Sequence, residues 1–213
     1  NTNLTRVPEK VKELWPQFKA VHLYVSIDAF GPLNDFIRHP ARWRDIDSNL
    51  RDLDTNFAKY GLEYVAVMCT AQIYNIFHLE ALYDYLFENM KHVMQLPKLL
   101  DLYVPTPLRT QVLPEKLKSL AKQRLERILV KSEERLRQGL IRPEEADTLG
   151  SLRGTMAFLT MENREHELPQ FWAYTDELDR LHGKNTVDFI PELLAARPQR
   201  INLSPGLAAE SPT

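Results

Sequence analysis

The chain has 213 residues, enough for one domain with a sizeable core, alone or with an appendage. Its 44% hydrophobic and 26% charged residues are typical of a soluble globular protein, and no apolar run approaches the ~20 residues of a membrane span. The single cysteine, Cys69, excludes a disulfide framework and any all-cysteine metal site built by this chain alone. A net charge of -2 provides no global attraction to nucleic acid or acidic lipid, and the composition predicts a cytoplasmic protein.

The two ends of the sequence lead to separate expectations. The chain begins without a methionine, a basic segment or an apolar segment, so we expect a processed protein or a fragment rather than a signal peptide. Residues 197–213 are rich in proline and small polar residues, a composition that predicts a flexible tail.

The first hundred residues alternate between strand and helix patterns. Strand patterns occupy residues 21–27, 63–70 and 99–104, and the first of them alternates apolar and polar residues. Between them lie helix patterns, the clearest of which has apolar residues spaced by three and four from Trp43 to Phe57, with Gly61 expected to cap its end. This order predicts βα units with parallel strands, in an open sheet or an incomplete barrel.

The second half of the chain predicts helices only. One long charged helix is expected over residues 114–137, another from Pro143 to about residue 165, and a third from Pro169. We therefore divide the chain into an α/β part at 1–108, a helical extension at 109–196 and the tail.

Polar residues at the predicted strand ends are the best candidates for chemistry, because ligands bind at the carboxyl ends of strands in open α/β sheets. Ser26 and Asp28 end the first strand, and Cys69 and Thr70 end the second. Arg38 precedes the next helix, where a guanidinium is able to hold a carboxylate with two hydrogen bonds. The alternative is structural: Ser26 and Asp28 end a strand and start a turn, and Arg38 is a solvated surface residue.

Other common sites find little support in the sequence. The six histidines have neither the metalloprotease nor the zinc-finger spacing, and the P-loop, dinucleotide and nucleophile-elbow motifs are absent. The excess of lysine and arginine over residues 115–137 is suited to phosphate contacts, but no aromatic residues interleave with it, so a solvated face is the favoured interpretation over a nucleic-acid site.

Several short motifs occur in the order found in one enzyme family. These are Thr2-Asn3, then Val21 to Asp28 with Ser26 and Asp28 at its end, then Arg38 twelve residues after Ser26, and then the strand ending at Thr70 with Asn75 after it. The chain resembles the second half of a radical S-adenosylmethionine (radical SAM) domain, and its part from Phe171 to Leu193 is similar to the tail of twitch domain-containing members. The similarity covers roughly residues 1–195.

The resemblance implies the C-terminal part of a partial (β/α)6 barrel with parallel strands over residues 1–108, followed by a mostly helical extension. In that family a [4Fe–4S] cluster cleaves S-adenosylmethionine, and the resulting 5'-deoxyadenosyl radical abstracts a hydrogen from the substrate. Ser26 and Arg38 match the positions that contact the ribose and carboxylate of S-adenosylmethionine. Asn3 and Thr70 match positions that face the barrel lumen.

The sequence also departs from the family pattern. The cysteine-rich loop that holds the cluster is missing, and Leu4 and Ala29 occupy positions where glycine is usual. Three thiolates are required for that cluster, so the chain as given is expected to be inactive and to need a missing N-terminal half of the barrel as its partner.

The resulting hypothesis is a C-terminal fragment of a radical SAM enzyme. Its substrate is left open among peptides, nucleotides and small metabolites, with neither a membrane nor a nucleic acid among the expected partners. The alternative is a non-catalytic α/β interaction module without a cofactor.

Overall fold

The computed structural model describes residues 1–198 and is an α/β structure built on three parallel strands. The strands are β1 (Val21–Ser26), β2 (Leu62–Ala71) and β3 (Lys98–Asp101), and they are neighbours in the order of the chain. Val25 is opposite Val67, and Thr70 is opposite Leu100. The prediction of parallel strands joined by helices is confirmed.

Helices precede and connect the strands. Helix α1 (Glu9–Leu14) leads into β1, while α2 (Pro32–Ile37) and α3 (Trp43–Thr55) lie between β1 and β2. Helix α4 (Leu79–Asn89) connects β2 to β3.

The two faces of the sheet differ sharply in their burial. Successive residues of a strand point to opposite faces. On the face that carries Val25, Val67 and Cys69, these side chains are completely buried. On the other face, Tyr24 is 40% exposed and Leu100 is 44% exposed. The helices therefore cover one face of the sheet and leave the other accessible, which is uncommon for parallel strands.

The second half of the chain is helical, as predicted. It contains α5 (Glu115–Arg137), α6 (Leu149–Met161), α7 (Leu168–His182) and the short α8 (Thr186–Phe189), with 3-10 turns between them.

These helices share a core with the sheet. Leu117, Leu152 and Phe171 belong to the same cluster of buried apolar side chains as Val67. Helix α6 also covers the outer edge of β3, where Leu99 N donates a hydrogen bond to Ser151 Oγ at 3.0 Å. The division near residue 108 stays a prediction.

Several boundaries differ from those predicted. Residues 32–37 form α2, a short helix that the sequence analysis does not predict; Gly31 at φ 64° followed by Pro32 starts this helix. Helix α3 ends at Thr55, so Gly61 does not cap it but turns the chain into β2 at φ 62°. The helix expected from Pro143 begins as a 3-10 turn and becomes α-helical only at Leu149. The part of the predicted tail from residue 199 onward lies outside the described residues.

Leu4 has an unusual backbone conformation. It is completely buried, yet its φ of 58° is in the left-handed region that glycine prefers. This is one of the two positions where the resembled family has glycine. At the other, Ala29, the φ angle is not positive.

We expect Leu4→Gly to be about 0.5–1 kcal/mol more stable than Leu4→Ala in urea unfolding. Both lose the buried side chain, but only glycine avoids the cost of the left-handed conformation. At Leu50, inside α3, the order of the matched pair should be reversed, because glycine weakens a helix relative to alanine. The same order at both positions would contradict the strain at Leu4.

Within residues 1–198, none of the helices combines the length and the apolar character needed to cross a bilayer.

Candidate functional site

The four residues predicted from the sequence lie at the carboxyl end of the sheet. Ser26 is the last residue of β1, and Thr70 is the next-to-last residue of β2. Asn3 comes one residue after Thr2, which pairs with Val25 near the end of β1. Arg38 directly follows α2.

Asp28 connects two of these residues. Its side chain is buried, and Oδ1 accepts a hydrogen bond from Thr70 N at 2.8 Å. Oδ2 lies 2.8 Å from Arg38 Nε, so the two side chains form an ion pair. The Nε–H bond of Arg38 is not directed at this oxygen, so the contact is not a hydrogen bond. Arg38 therefore already contacts a carboxylate from its own chain, which the sequence did not predict.

The outer part of Arg38 is available for a further contact. Its side chain is 24% exposed, and within residues 1–198 its two terminal nitrogens have no hydrogen-bond partner. A guanidinium held at Nε and open at its terminal nitrogens is suited to an anionic group such as a carboxylate.

Two buried asparagines shape the loops around Asp28. Asn34 Oδ1 accepts hydrogen bonds from the backbone N–H groups of Asp28 and Ala29 at 3.1 and 3.3 Å. Asn75 Nδ2 donates to the carbonyl oxygens of Asp28 and Thr70, both at 2.8 Å. Asn34 thus fixes the loop after β1, and Asn75 holds the ends of β1 and β2 together.

Asn34 leaves its side-chain amide nitrogen unused. Its Nδ2 is buried and lacks a partner among the residues that the structure describes. A buried unpaired N–H is costly, so the position is suited to a water or a ligand oxygen.

Ser26 and Asn3 are more accessible. Ser26 is half-buried, and its hydroxyl makes no hydrogen bond within the described part of the chain. Asn3 is exposed, and its Oδ1 accepts hydrogen bonds from the backbone N–H and the hydroxyl of Thr5 at 3.2 and 2.9 Å. Only the amide nitrogen of Asn3 is therefore left for a ligand.

Cys69 is unsuited to metal binding. It is completely buried on the helix-covered face, and its Sγ lies 3.5 Å from the carbonyl oxygen of Asp28. Burial, reinforced by the nearby Asp28 charge, raises the pKa of the thiol well above its ordinary value. The thiolate that a metal requires is thus disfavoured. Residues 1–198 contain no group of three or more His, Cys, Asp or Glu side chains placed to hold a metal ion.

The basic side chains of α5 are largely engaged by acidic neighbours. Asp84 contacts Lys131 and Arg135 at 2.6 and 3.0 Å, and Arg124 contacts Glu192 at 2.6 Å. Burial alone would raise the pKa of Asp84, but the hydrogen bonds from Lys131 and Arg135 lower it overall. These cations therefore neutralise the fold's own carboxylates, as expected for a structural surface.

Sequence reasoning missed Asn34 and did not assign the hydrogen bonds of Asn75. Asparagine is common in turns, so neither residue stands out by type. The only signal for Asn34 is its place in the first turn after Gly31-Pro32, and that signal requires α2 to be recognised first.

Comparisons with protein-family models, with curated proteins and with solved structures find no match to this chain.

Proposed function

We propose that this chain is the C-terminal part of a partial (β/α)6 barrel in a radical SAM enzyme of the twitch domain-containing type, and that its strand ends bind S-adenosylmethionine. The one-sided sheet carries the proposal. Its parallel strands follow one another in chain order, the helices lie on one face, and Tyr24 and Leu100 are exposed on the other. A barrel wall has this arrangement, with helices outside and a lumen inside.

Two further observations support the same assignment. Ser26 and Thr70 are on the accessible face at the carboxyl ends of neighbouring strands, where a ligand in the lumen would meet them. Leu4 has a left-handed backbone at a position where the resembled family has glycine. Both observations concern the position and the backbone conformation of these residues, and not only their residue types.

The residues around Arg38 fit the polar groups of S-adenosylmethionine. The terminal nitrogens of Arg38 and the unpaired Nδ2 of Asn34 are donors for a carboxylate, and the hydroxyl of Ser26 is a partner for a ribose. In this proposal Asp28 positions Arg38, and Asn75 fixes the strand ends. S-adenosylmethionine bound at these residues, with the cluster beside it, would supply the radical chemistry that removes a hydrogen from the substrate.

The chain does not fit the [4Fe–4S] cluster itself. The cluster requires three thiolates, whereas this sequence has one cysteine, which is buried with a raised pKa. The cluster ligands would have to come from an N-terminal half of the barrel, which is also the partner expected to cover the exposed face of the sheet. The substrate stays open among peptides, nucleotides and small metabolites.

A non-catalytic interaction module is the second candidate. The Asp28–Arg38 ion pair favours it, because that contact already gives Arg38 a structural role. The two candidates differ in the reading frame upstream of Asn1. A C-x3-C-x2-C motif about a hundred residues before Asn1 supports the enzyme, and an upstream sequence without it supports the module.

Arg38→Ala should weaken S-adenosylmethionine binding by about 1.5–3 kcal/mol, the range for a hydrogen bond to a charged group. Equilibrium dialysis against a polypeptide that contains both halves of the barrel measures this change. Arg38→Lys should also weaken binding, because an ammonium group cannot replace a planar fork.

Arg44→Ala is the matched control, since Arg44 is exposed in the first turn of α3. It should leave the affinity unchanged. Thermal unfolding of each variant separates loss of binding from loss of structure. An affinity of Arg38→Ala equal to that of the unmodified protein would contradict the assignment of Arg38.

A further inference from the structure

A cavity lies at the amino ends of β2 and β3, at the other edge of the sheet from the residues proposed to bind S-adenosylmethionine. Tyr64 of β2 and Lys98, the first residue of β3, contribute to its wall, as do Asp147 and Gly150 around the start of α6. Its volume of about 570 Å³ is within the range of small-molecule sites. Thr70 is six residues after Tyr64, about 20 Å along the strand, so one small ligand cannot occupy both places.

Hydrogen bonds fix the walls of this cavity. Glu145 is completely buried, and its Oε2 accepts hydrogen bonds from Gln95 N and Leu96 N at 2.7 and 2.9 Å. Its Oε1 lies 2.9 Å from Arg142 Nη2. Helix α6 is attached to β3 through the hydroxyl of Ser151. The cavity is therefore preformed, and a ligand does not have to order its walls.

Most charged groups in the wall already have a partner. Arg142 is held by the buried carboxylate, and its Nη1 donates a hydrogen bond to the carbonyl oxygen of His92 at 3.1 Å. Glu63 lies 3.4 Å from His22 Nε2, and Glu144 lies 3.9 Å from Arg142 Nε. These groups are therefore less available to a charged ligand.

Two opposite charges are left in the wall. Within residues 1–198, neither the ammonium group of Lys98 nor the carboxylate of Asp147 has an ion pair or a hydrogen bond. Tyr64 is half-buried, and its hydroxyl also lacks a partner in that part of the chain. Val65 and Met94 are buried and add apolar surface. One cation, one anion and an apolar wall are together complementary to a zwitterion with an apolar body.

We propose that this cavity binds a short zwitterionic peptide, whose carboxylate pairs with Lys98, whose ammonium group pairs with Asp147, and whose apolar side chains pack on Val65 and Met94. Taken as a cube, the cavity is about 8 Å wide, and two extended residues span about 7 Å, so a dipeptide fits. The inference does not depend on the proposed function, because the strand ends assigned to S-adenosylmethionine lie at the opposite edge of the sheet.

Titration calorimetry with the dipeptide Leu-Leu, and with its N-acetylated and C-amidated forms, tests the proposal. Leu-Leu should bind, and each capped form should bind about fivefold more weakly, because an ion pair at a protein surface seldom provides more. Lys98→Met should weaken Leu-Leu by the same ratio and leave the affinity of the C-amidated form unchanged. Asp147→Asn should weaken Leu-Leu and leave the affinity of the N-acetylated form unchanged. Absence of binding at about 10 mM Leu-Leu, or capped forms that bind as tightly as Leu-Leu, would overturn the proposal.

Gly150→Trp places a large side chain in the cavity. No heavy atom lies within 4 Å of the position that a Cβ would take at Gly150 or at Gly154, so both positions have room for a side chain. Of the two, Gly150 lines the cavity, and Gly154 lies one turn further along α6. Gly150→Trp should abolish binding of Leu-Leu, whereas Gly154→Trp should leave it unchanged, with thermal unfolding of both variants as the check on folding. Equal binding by the two folded variants would place the dipeptide elsewhere and overturn the proposal.

Discussion

Asp54→Ala is expected to lower the free energy of unfolding by about 3–5 kcal/mol. Asp54 is buried in the last turn of α3, and its carboxylate receives the backbone N–H groups of Lys91, His92 and Val93 at 2.7–3.1 Å. These are the residues that follow α4 and lead towards β3. Without the carboxylate, three donors lose a charged acceptor, and Val93 is completely buried.

Chemical unfolding measures this effect. Asp54→Asn should be intermediate, because an amide keeps one acceptor oxygen but loses the charge and the second oxygen. Asp147→Ala is the control, since Asp147 is exposed, and it should change stability by no more than about 0.5 kcal/mol. A loss at Asp54 as small as that at Asp147 would contradict the role of this carboxylate.

The elements with the strongest patterns were predictable from the sequence. The apolar spacing from Trp43 to Phe57 indicated α3, and the continuous apolar run at 63–70 indicated β2. In both elements the buried residues recur at short, regular intervals within one continuous stretch of sequence. Local periodicity therefore carries the information needed to locate them.

The short elements were less predictable, because contacts from distant parts of the chain decide them. Helix α2 has only six residues, and nothing in its composition separates it from a loop. Strand β3 ends at Asp101 although the apolar pattern continues to Val104. On its outer edge, Leu99 N donates a hydrogen bond to Ser151 Oγ of α6, fifty-two residues further along the chain. No local sequence pattern predicts such a distant partner.

The positions of the candidate site residues were predictable from the sequence, but their contacts were not. A topological rule was enough to expect Ser26 and Thr70 at one edge of the sheet, because parallel strands end together. The partners of each side chain were not predictable. That Arg38 contacts Asp28, and that Asn34 keeps a buried unpaired donor, depends on how the loop from Asp28 to Arg38 folds back.

Asn75→Asp is expected to destabilise the fold by about 3–5 kcal/mol, more than Asn75→Ala. Asn75 is completely buried, and its Nδ2 donates to the carbonyl oxygens of Asp28 and Thr70 at 2.8 Å. Its Oδ1 accepts a hydrogen bond from Gln72 N at 2.9 Å. A carboxylate keeps the last bond but turns an oxygen towards two carbonyl oxygens in a buried position. Alanine removes the hydrogen bonds of this side chain without adding a charge, and should cost about 2–4 kcal/mol.

The pH dependence separates these two effects. Burial and the two carbonyl oxygens should raise the pKa of the carboxyl group that Asn75→Asp introduces, because only its protonated form is able to donate a hydrogen bond. A carboxyl group whose pKa is higher in the folded state destabilises the fold at neutral pH, and the deficit shrinks as the pH falls through that raised pKa. The difference in the free energy of unfolding between Asn75→Asp and the unmodified chain should therefore narrow in acid, whereas the difference for Asn75→Ala should not.

Asn163→Asp, at an exposed position, is the matched control and should change stability by no more than about 0.5 kcal/mol. If Asn75→Asp is no less stable than Asn75→Ala at neutral pH, the Asn75 amide is not what holds the ends of β1 and β2 together.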